Sequence, residues 1–260
     1  MNIFKKSSLG YFFLIVGGFL LFFTLVGEIC ADFFKKNITV DQLLQQRIPD
    51  EQLKNASSQE LMIDYMQKVA GLFQHKRAAF LIFDNWCLWL MGLVDDNFNH
   101  IRSPDHLLKY STVAWCDQSS YLLLTLALKS GIQARHVGLE GHVVMEAWYD
   151  NDWHMFDPDF NWFSTDNSGK VLSVQFLSEH LDWIEKTLKT KNYSKDRIQR
   201  MLDVFKHRNL HTFMTYPFST YFSWKSQVLY KLEIISDYIK WVVPLLLLIL
   251  GYRWTRKKND

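Results

Sequence analysis

Apolar residues follow three regimes along this chain: an unbroken block near each end and a periodic middle. From Ser7 to Gly27 no residue is charged. The stretch LGYFFLIVGGFLLFFTLVG, at about 1.5 Å per helical residue, covers a hydrocarbon core of roughly 30 Å. Its length predicts an uncleaved anchor, with a cleaved signal as the alternative. Ile29-Cys30-Ala31 puts a bulky residue where a cleavage site needs a small one, and Val26-Gly27-Glu28-Ile29 is no lipobox. The second block, Ile234 to Tyr252, contains WVVPLLLLILGY and is followed by Arg253, Arg256, Lys257 and Lys258. It predicts a second span, with a monotopic tail or buried helix as the alternative; Asp237 and Lys240 in its first turns are expected to reach the interface.

Between the blocks the pattern becomes periodic. Leu61, Tyr65, Val69 and Leu72 fall at helical spacing within a helical region from Ile38 to Phe83, with a break at Pro49. Ala78 to Val94 reads as a core helix, and Asn99 to Pro104 as a turn. A Leu-rich helix opens at Cys116 and stops at Gly131, where glycine suits the residue past a helix end. Ile132 to Val137 then reads as a strand. The runs HVVMEAWYD and WHMFDPDF flank Asn151-Asp152 and predict a hairpin. STDNSGK is a loop, and Phe176 to Lys189 and Arg197 to His207 are amphipathic helices. Tyr216, Phe218, Tyr221, Phe222, Trp224, Tyr230 and Trp241 approach the second span as interfacial rings do. The segments implied are 1–8, a span at 9–27, a helical region at 28–98, a core at 99–165, a helical region at 166–233, a span at 234–252 and a basic tail at 253–260.

Charge adds orientation. Lys5 and Lys6 precede the first block and four basic residues follow the second, so both termini are expected in the cytoplasm and the middle outside a cell (inner) membrane. The bilayer is thus an expected partner. A net charge of +2 and the lack of a basic, aromatic-interleaved stripe argue against nucleic acid. Three cysteines form no disulfide framework. Cys30 lies at a membrane edge, and Cys87 lies in an apolar run where a thiol is ordinarily a small hydrophobe.

Cys116 differs because it opens a helix, whose positive end favours a thiolate. A free thiol with a pKa of about 8.5 is largely neutral near pH 7, so thiol chemistry needs an imidazole beside it. His142, at the head of a strand, supplies one, and Asp157, on the next strand of the hairpin, lies where it can orient that ring. No HExxH or paired CxxC spacing is present, so neither a metal nor a cofactor is expected.

The stretch TVAWCDQSSYLLLTLALKSGIQARHVGLEGHVVMEAWYDNDWHMFDPDFN resembles the transglutaminase-like superfamily. The residues that carry the resemblance are Cys116, Gly131-Ile132, Ala134-Arg135, Val137, His142, Glu146, Trp153 and Asp157-Pro158. It implies an α+β fold, with a Cys-bearing helix packed on a small antiparallel sheet. It also implies a Cys116–His142–Asp157 triad for acyl transfer on a peptide or amide, with hydrolysis favoured over amine transfer. A cell-envelope polymer and a protein both remain open as substrate. The alternative is an inactive accessory protein of envelope or polysaccharide assembly. Val144 and Asp117 stand where many members carry Trp and Arg, which leaves substrate choice open. Trp115 and Gln118 are candidate wall and oxyanion residues. Glu146 is expected to pair with Arg135, and His136, His154 and Asp159 rank below the triad.

Overall fold

The structure is a computed structural model that describes residues 3–34, 38–45, 56–215 and 224–256. Two compact units interleave along the chain: residues 1–37, 78–111 and 227–260 form one, and 38–77 with 112–226 the other. A boundary at 98/99 therefore falls inside the first unit. The reason is backbone pairing between Ala78–Phe80 and Asn99–Ile101, where Phe80 N–H donates to Asn99 O at 2.7 Å and Ile101 N–H to Ala78 O at 3.3 Å.

The first unit contains α1 (Ile3–Phe34) and most of a long C-terminal helix, Trp224–Arg256. Both helices are long and apolar enough to cross a membrane, over Ser8–Phe33 and Trp224–Arg256. They approach closely through small residues: a Cβ on Gly10 would lie 2.9 Å from the Thr255 side chain, and one on Gly251 would lie 2.8 Å from Gly10 O. Pro244 has no N–H to give the carbonyl one turn back. That carbonyl, Lys240 O, instead accepts from Thr24 Oγ1 and Trp86 Nε1, each at 3.2 Å.

The expected helix from Ala78 to Val94 is shorter in the structure. The Asp84 side chain accepts from Leu81 N–H at 3.1 Å and Asn85 caps at Leu88 N–H, so the helix runs only over Trp86–Gly92. A second short helix, Pro104–Tyr110, has Ser103 as its cap and Pro104 at its first turn.

Buried charges hold this unit together. Lys240 is 2 % exposed at its side chain, so it does not reach for an interface as the sequence suggested. The long helix begins at Trp224, which leaves Lys240 well inside it. Its Nζ lies 2.8 Å from Glu28 Oε1, 2.8 Å from Asp237 Oδ1 and 2.9 Å from Tyr110 Oη. Lys109 also pairs with Glu28. His106 places Nδ1 at 2.7 Å from Glu233 Oε1 and Nε2 at 3.0 Å from Asp237 Oδ2. Glu233 further accepts the backbone N–H groups of Arg102 and Ser103. Such a cluster persists only because each charge is paired and hydrogen-bonded.

The second unit, in chain order, runs α2 (Val40–Gln45), α3 (Ser58–Leu72), β1 (Gln74–His75), β2 (Val113–Ala114), α4 (Cys116–Lys129), β3 (Gln133–Leu139), β4 (His142–Tyr149) and β5 (Asp152–Phe156). It continues with α5 (Val174–Glu179), α6 (Leu181–Thr190), α7 (Lys195–Lys206) and β6 (Thr212–Thr215). The main sheet is antiparallel in the order β5-β4-β3-β6, while β1 and β2 form a separate parallel pair. Pro49 lies outside the described residues, as do Tyr216, Phe218, Tyr221 and Phe222. Three expectations change. The helical region stops at Leu72, where the chain turns extended at Phe73. The stretch after residue 165 includes a strand, β6, which pairs with β3 from Arg135↔Thr215 to Gly138↔Thr212. Phe176 to Lys189 is two helices broken at His180.

Local chemistry explains the register. Asp150 and Asn151 both adopt positive φ, 49° and 57°, which gives the tight two-residue turn that aligns Tyr149 with Asp152. Gly131, at φ +77°, ends α4 without a side-chain penalty. Arg135 and Glu146 stand opposite each other across β3 and β4 and form the expected ion pair, Nη2 to Oε2 at 2.6 Å, with the guanidinium 4.0 Å from the Trp153 ring centroid. Val137, Leu139, Val144 and Met155 bury against Leu177, Ile184, Leu188, Met201 and Phe205 of α5–α7. Each such fully buried side chain contributes roughly 1.5–3 kcal/mol.

Candidate active site

The sequence places Cys116 at the first position of α4, and the structure anchors that helix start firmly. Gln118 Oε1 accepts the Trp115 N–H at 3.0 Å, which satisfies one of the donors a helix end leaves open. One turn on, Ser120 Oγ donates to Val143 O at 3.0 Å and ties α4 to β4 beside His142. Cys116 itself is half-buried. The candidate oxyanion residue Gln118 is thus the cap of this helix; it is 2 % exposed and lies outside the cavity described below. Trp115 is exposed beside the cysteine.

His142 heads β4 and is 7 % exposed. Its Nε2 lies 2.8 Å from Asp157 Oδ2, and its ring meets Phe160 edge-on at 5.2 Å. Asp157 is fully buried. Oδ1 accepts the N–H groups of Asp159 and Phe160, both at 3.1 Å, and its backbone pairs in both directions with Trp162 at 2.9 Å. Asn161 takes φ 47° to make that pairing possible. The DPDFN segment is therefore a turn built around one carboxylate that faces the imidazole.

With Nε2 held by Asp157, the ring's other nitrogen is the one left for the thiol. Burial pulls the His142 pKa down; the Asp157 charge and hydrogen bond, with a smaller contribution from Cys116, outweigh it and push the ring up to about 10. A ring held toward its charged form beside a sulfur at a helix N-terminus is the arrangement that favours a thiolate.

A cavity of about 120 Å³ opens onto this pair. Cys116, His142, Asp159 and His75 line it together with Arg197 and Arg200 of α7. Ligand pockets for whole small molecules run to roughly 300–1,000 Å³, so this one admits the reacting end of a larger substrate. Arg197 stacks over Phe160 at 4.8 Å and Tyr193 at 5.2 Å, which holds its guanidinium at the rim.

The structure brings Cys116, His142 and Asp157 together, and adds two residues. Asp159, ranked low from sequence, has a side chain only 3 % exposed, with Oδ1 2.6 Å from His75 Nδ1. Burial raises its carboxyl above the usual range, against the lowering effect of His75. His75 carried no signal in the sequence; the parallel pairing His75↔Ala114 delivers it next to Cys116. The other ranked histidines are structural. His154 is fully buried and set between the carbonyls of Val171 and Tyr149, while His136 packs on Tyr121. Neither lines the cavity.

Comparison with family models, with curated proteins and with solved structures finds no match to this chain. Any functional reading therefore stands on the geometry and the residues themselves.

Proposed function

We propose that the second unit is a cysteine-dependent acyl-transfer enzyme of transglutaminase-like type, tethered to a membrane by the two apolar helices and acting on a peptide or amide. One observation carries this reading: His142 gives one nitrogen to the buried Asp157 and leaves the other to Cys116, at the mouth of a cavity. Cys116 Sγ attacks the carboxamide carbon, and N–H groups of the first turn of α4 stabilise the oxyanion. His142 gives its proton to the leaving nitrogen as the C–N bond breaks. Water then adds to the thioester, with His142 taking its proton, and the acid leaves as the sulfur–carbon bond opens. Asp157 acts through His142 as a positioning residue. The small cavity, about 120 Å³, favours water as acceptor. Lys5 and Lys6 before the first span and Arg253, Arg256, Lys257 and Lys258 after the second favour a position of this unit outside the cytoplasm.

The test is the rate of Cys116 alkylation by iodoacetamide from pH 4 to 9. It uses the full chain in detergent, with Cys30→Ser and Cys87→Ser so that one thiol reports. With the His142 ring held toward its charged form beside the sulfur, labelling at pH 6 about tenfold faster than that of an ordinary thiol is expected. His142→Ala should lose it. An ordinary thiol profile in both proteins would sink the enzyme reading and favour a binding role for the site.

A further inference from the structure

We propose that Cys116, His142 and Asp159 form a Zn²⁺ site, and that the metal and the thiol chemistry are mutually exclusive uses of one cluster. The cysteine sulfur, one imidazole nitrogen and one carboxylate oxygen of these residues all lie within 4.8 Å of one another. Tetrahedral zinc, with bonds of about 2.0–2.3 Å, holds such atoms roughly 3.3–3.7 Å apart. Closing the cluster takes displacements of about 1 Å, within the reach of side-chain adjustment at a cavity wall.

Three independent features support a metal over a chance cluster. Asp159 Oδ2 is buried and has no hydrogen-bond partner among the described residues, on a side chain 3 % exposed; a buried carboxylate oxygen without a partner is costly unless something positive meets it. Each of the two harder ligands is already held from behind. Asp157 holds His142 Nε2 at 2.8 Å, and His75 holds Asp159 Oδ1 at 2.6 Å. Carboxylate–histidine support of this kind orients ligands and raises their basicity in zinc sites. The cavity also leaves a fourth position for water. Thiolate, imidazole and carboxylate together suit a borderline ion, and exclude Mg²⁺ and Ca²⁺, which prefer all-oxygen shells.

Binding is balanced by proton loss. Zn²⁺ takes the sulfur as thiolate and the ring as neutral imidazole, so any proton on the sulfur and the proton on the ligating ring nitrogen both leave to solvent. The metal bonds occupy the same sulfur lone pair and ring nitrogen that acyl transfer needs, so a loaded site does not alkylate. Only this effect on turnover rests on the acyl-transfer reading; the binding itself does not.

The experiment uses the full chain in detergent, free of affinity tag, with Cys30→Ser and Cys87→Ser. Zn²⁺ is titrated against a competing chelator, Co²⁺ is added as a spectroscopic substitute, and iodoacetamide labelling is followed with and without Zn²⁺. Expected are one Zn²⁺ per chain, a thiolate-to-cobalt charge-transfer band, and labelling slowed at least tenfold by Zn²⁺ and restored by chelator. Asp159→Asn should weaken Zn²⁺ binding by more than tenfold, and His75→Gln, at a half-exposed position, by about tenfold. Absence of the cobalt band, or unchanged Zn²⁺ affinity in both variants, overturns the proposal. Fast metal-free labelling without zinc protection overturns it while leaving the acyl-transfer reading intact. Zinc binding with the cobalt band but an ordinary metal-free thiol supports it and removes the acyl-transfer reading.

Discussion

Each unit of this protein buries a histidine against carboxylates, and the two are used differently. His106 has both ring nitrogens on acidic side chains, Glu233 and Asp237. His142 has one on Asp157 and turns the other toward Cys116 and a cavity. Both rings are pushed up despite burial, His106 to about 9 and His142 to about 10. A raised pKa therefore does not mark a reactive site. What separates the two is a nitrogen without a carboxylate and space in front of it. The saturated cluster has nothing left to do but hold helices together, whereas the unsaturated one presents a ring nitrogen to a partner nucleophile at a cavity.

Breaking the saturated cluster should have the largest effect. Lys240→Met leaves Glu28 and Asp237 short of a buried partner, and loss of one member of such a network costs about 3–5 kcal/mol. Thermal unfolding of the full chain in detergent should fall by roughly 10 °C, with Cys116 alkylation in the folded protein unchanged. Unaltered melting would mean that the network does not stabilise the unit.

Next comes pH. The His106 ring is raised above its unfolded value of about 6.5. Its stabilisation is fully present below that value and is lost as pH rises through about 9. At about 1.4 kcal/mol per unit this amounts to a few kcal/mol. The melting difference between the unchanged chain and His106→Gln should be greatest near pH 6 and vanish by about pH 10. A difference that grows with pH would show that the ring is not held protonated.

The open cluster should respond in reactivity more than in stability. Asp157→Asn keeps an acceptor for the Asp159 and Phe160 N–H groups but removes the charge that holds His142 protonated. Alkylation of Cys116 at pH 6 should drop by about tenfold, equivalent to about 1.4 kcal/mol. Retention of the full rate would assign the thiol's activation to the helix end alone. The smallest effect belongs to Gln118→Ala, which removes a cap from α4. A loss of about 1 kcal/mol in stability and a two- to threefold slower alkylation are expected. An unchanged oxyanion-dependent turnover, once a substrate is in hand, would agree with Gln118 as a cap; its collapse would return Gln118 to the reacting centre.

Much of the second unit was legible because its signals are local. The Cys116–Lys129 helix ends where Gly131 permits a left-handed residue, and the hairpin expected around Asn151-Asp152 turns one residue earlier, where Asp150 and Asn151 accept positive φ. The cross-strand pair Arg135–Glu146 follows from two strands of known register. The three proposed site residues were legible to the same extent, since Cys116 opens α4, His142 opens β4 and Asp157 directly follows β5. What stayed hidden was non-local. His75 reaches the cysteine through a two-residue parallel pairing with no pattern of its own, and β6 joins the sheet from beyond three helices. Lys240 reads as an interfacial charge until the partners that bury it are known.

By itself, then, the sequence determined the apolar lengths of the two long helices and the order Cys-helix, His-strand, second strand of the hairpin, because each depends on side chains within a few residues of one another; that Asp157 sits in a turn just past that strand came from the structure. Only the tertiary structure decided which nitrogen of His142 is spent on Asp157, that Asp159 and His75 stand behind the cysteine, and that Lys240 is buried. Those outcomes depend on distances between residues far apart in the chain, where desolvation makes every polar group seek a partner and packing alone determines which one it finds.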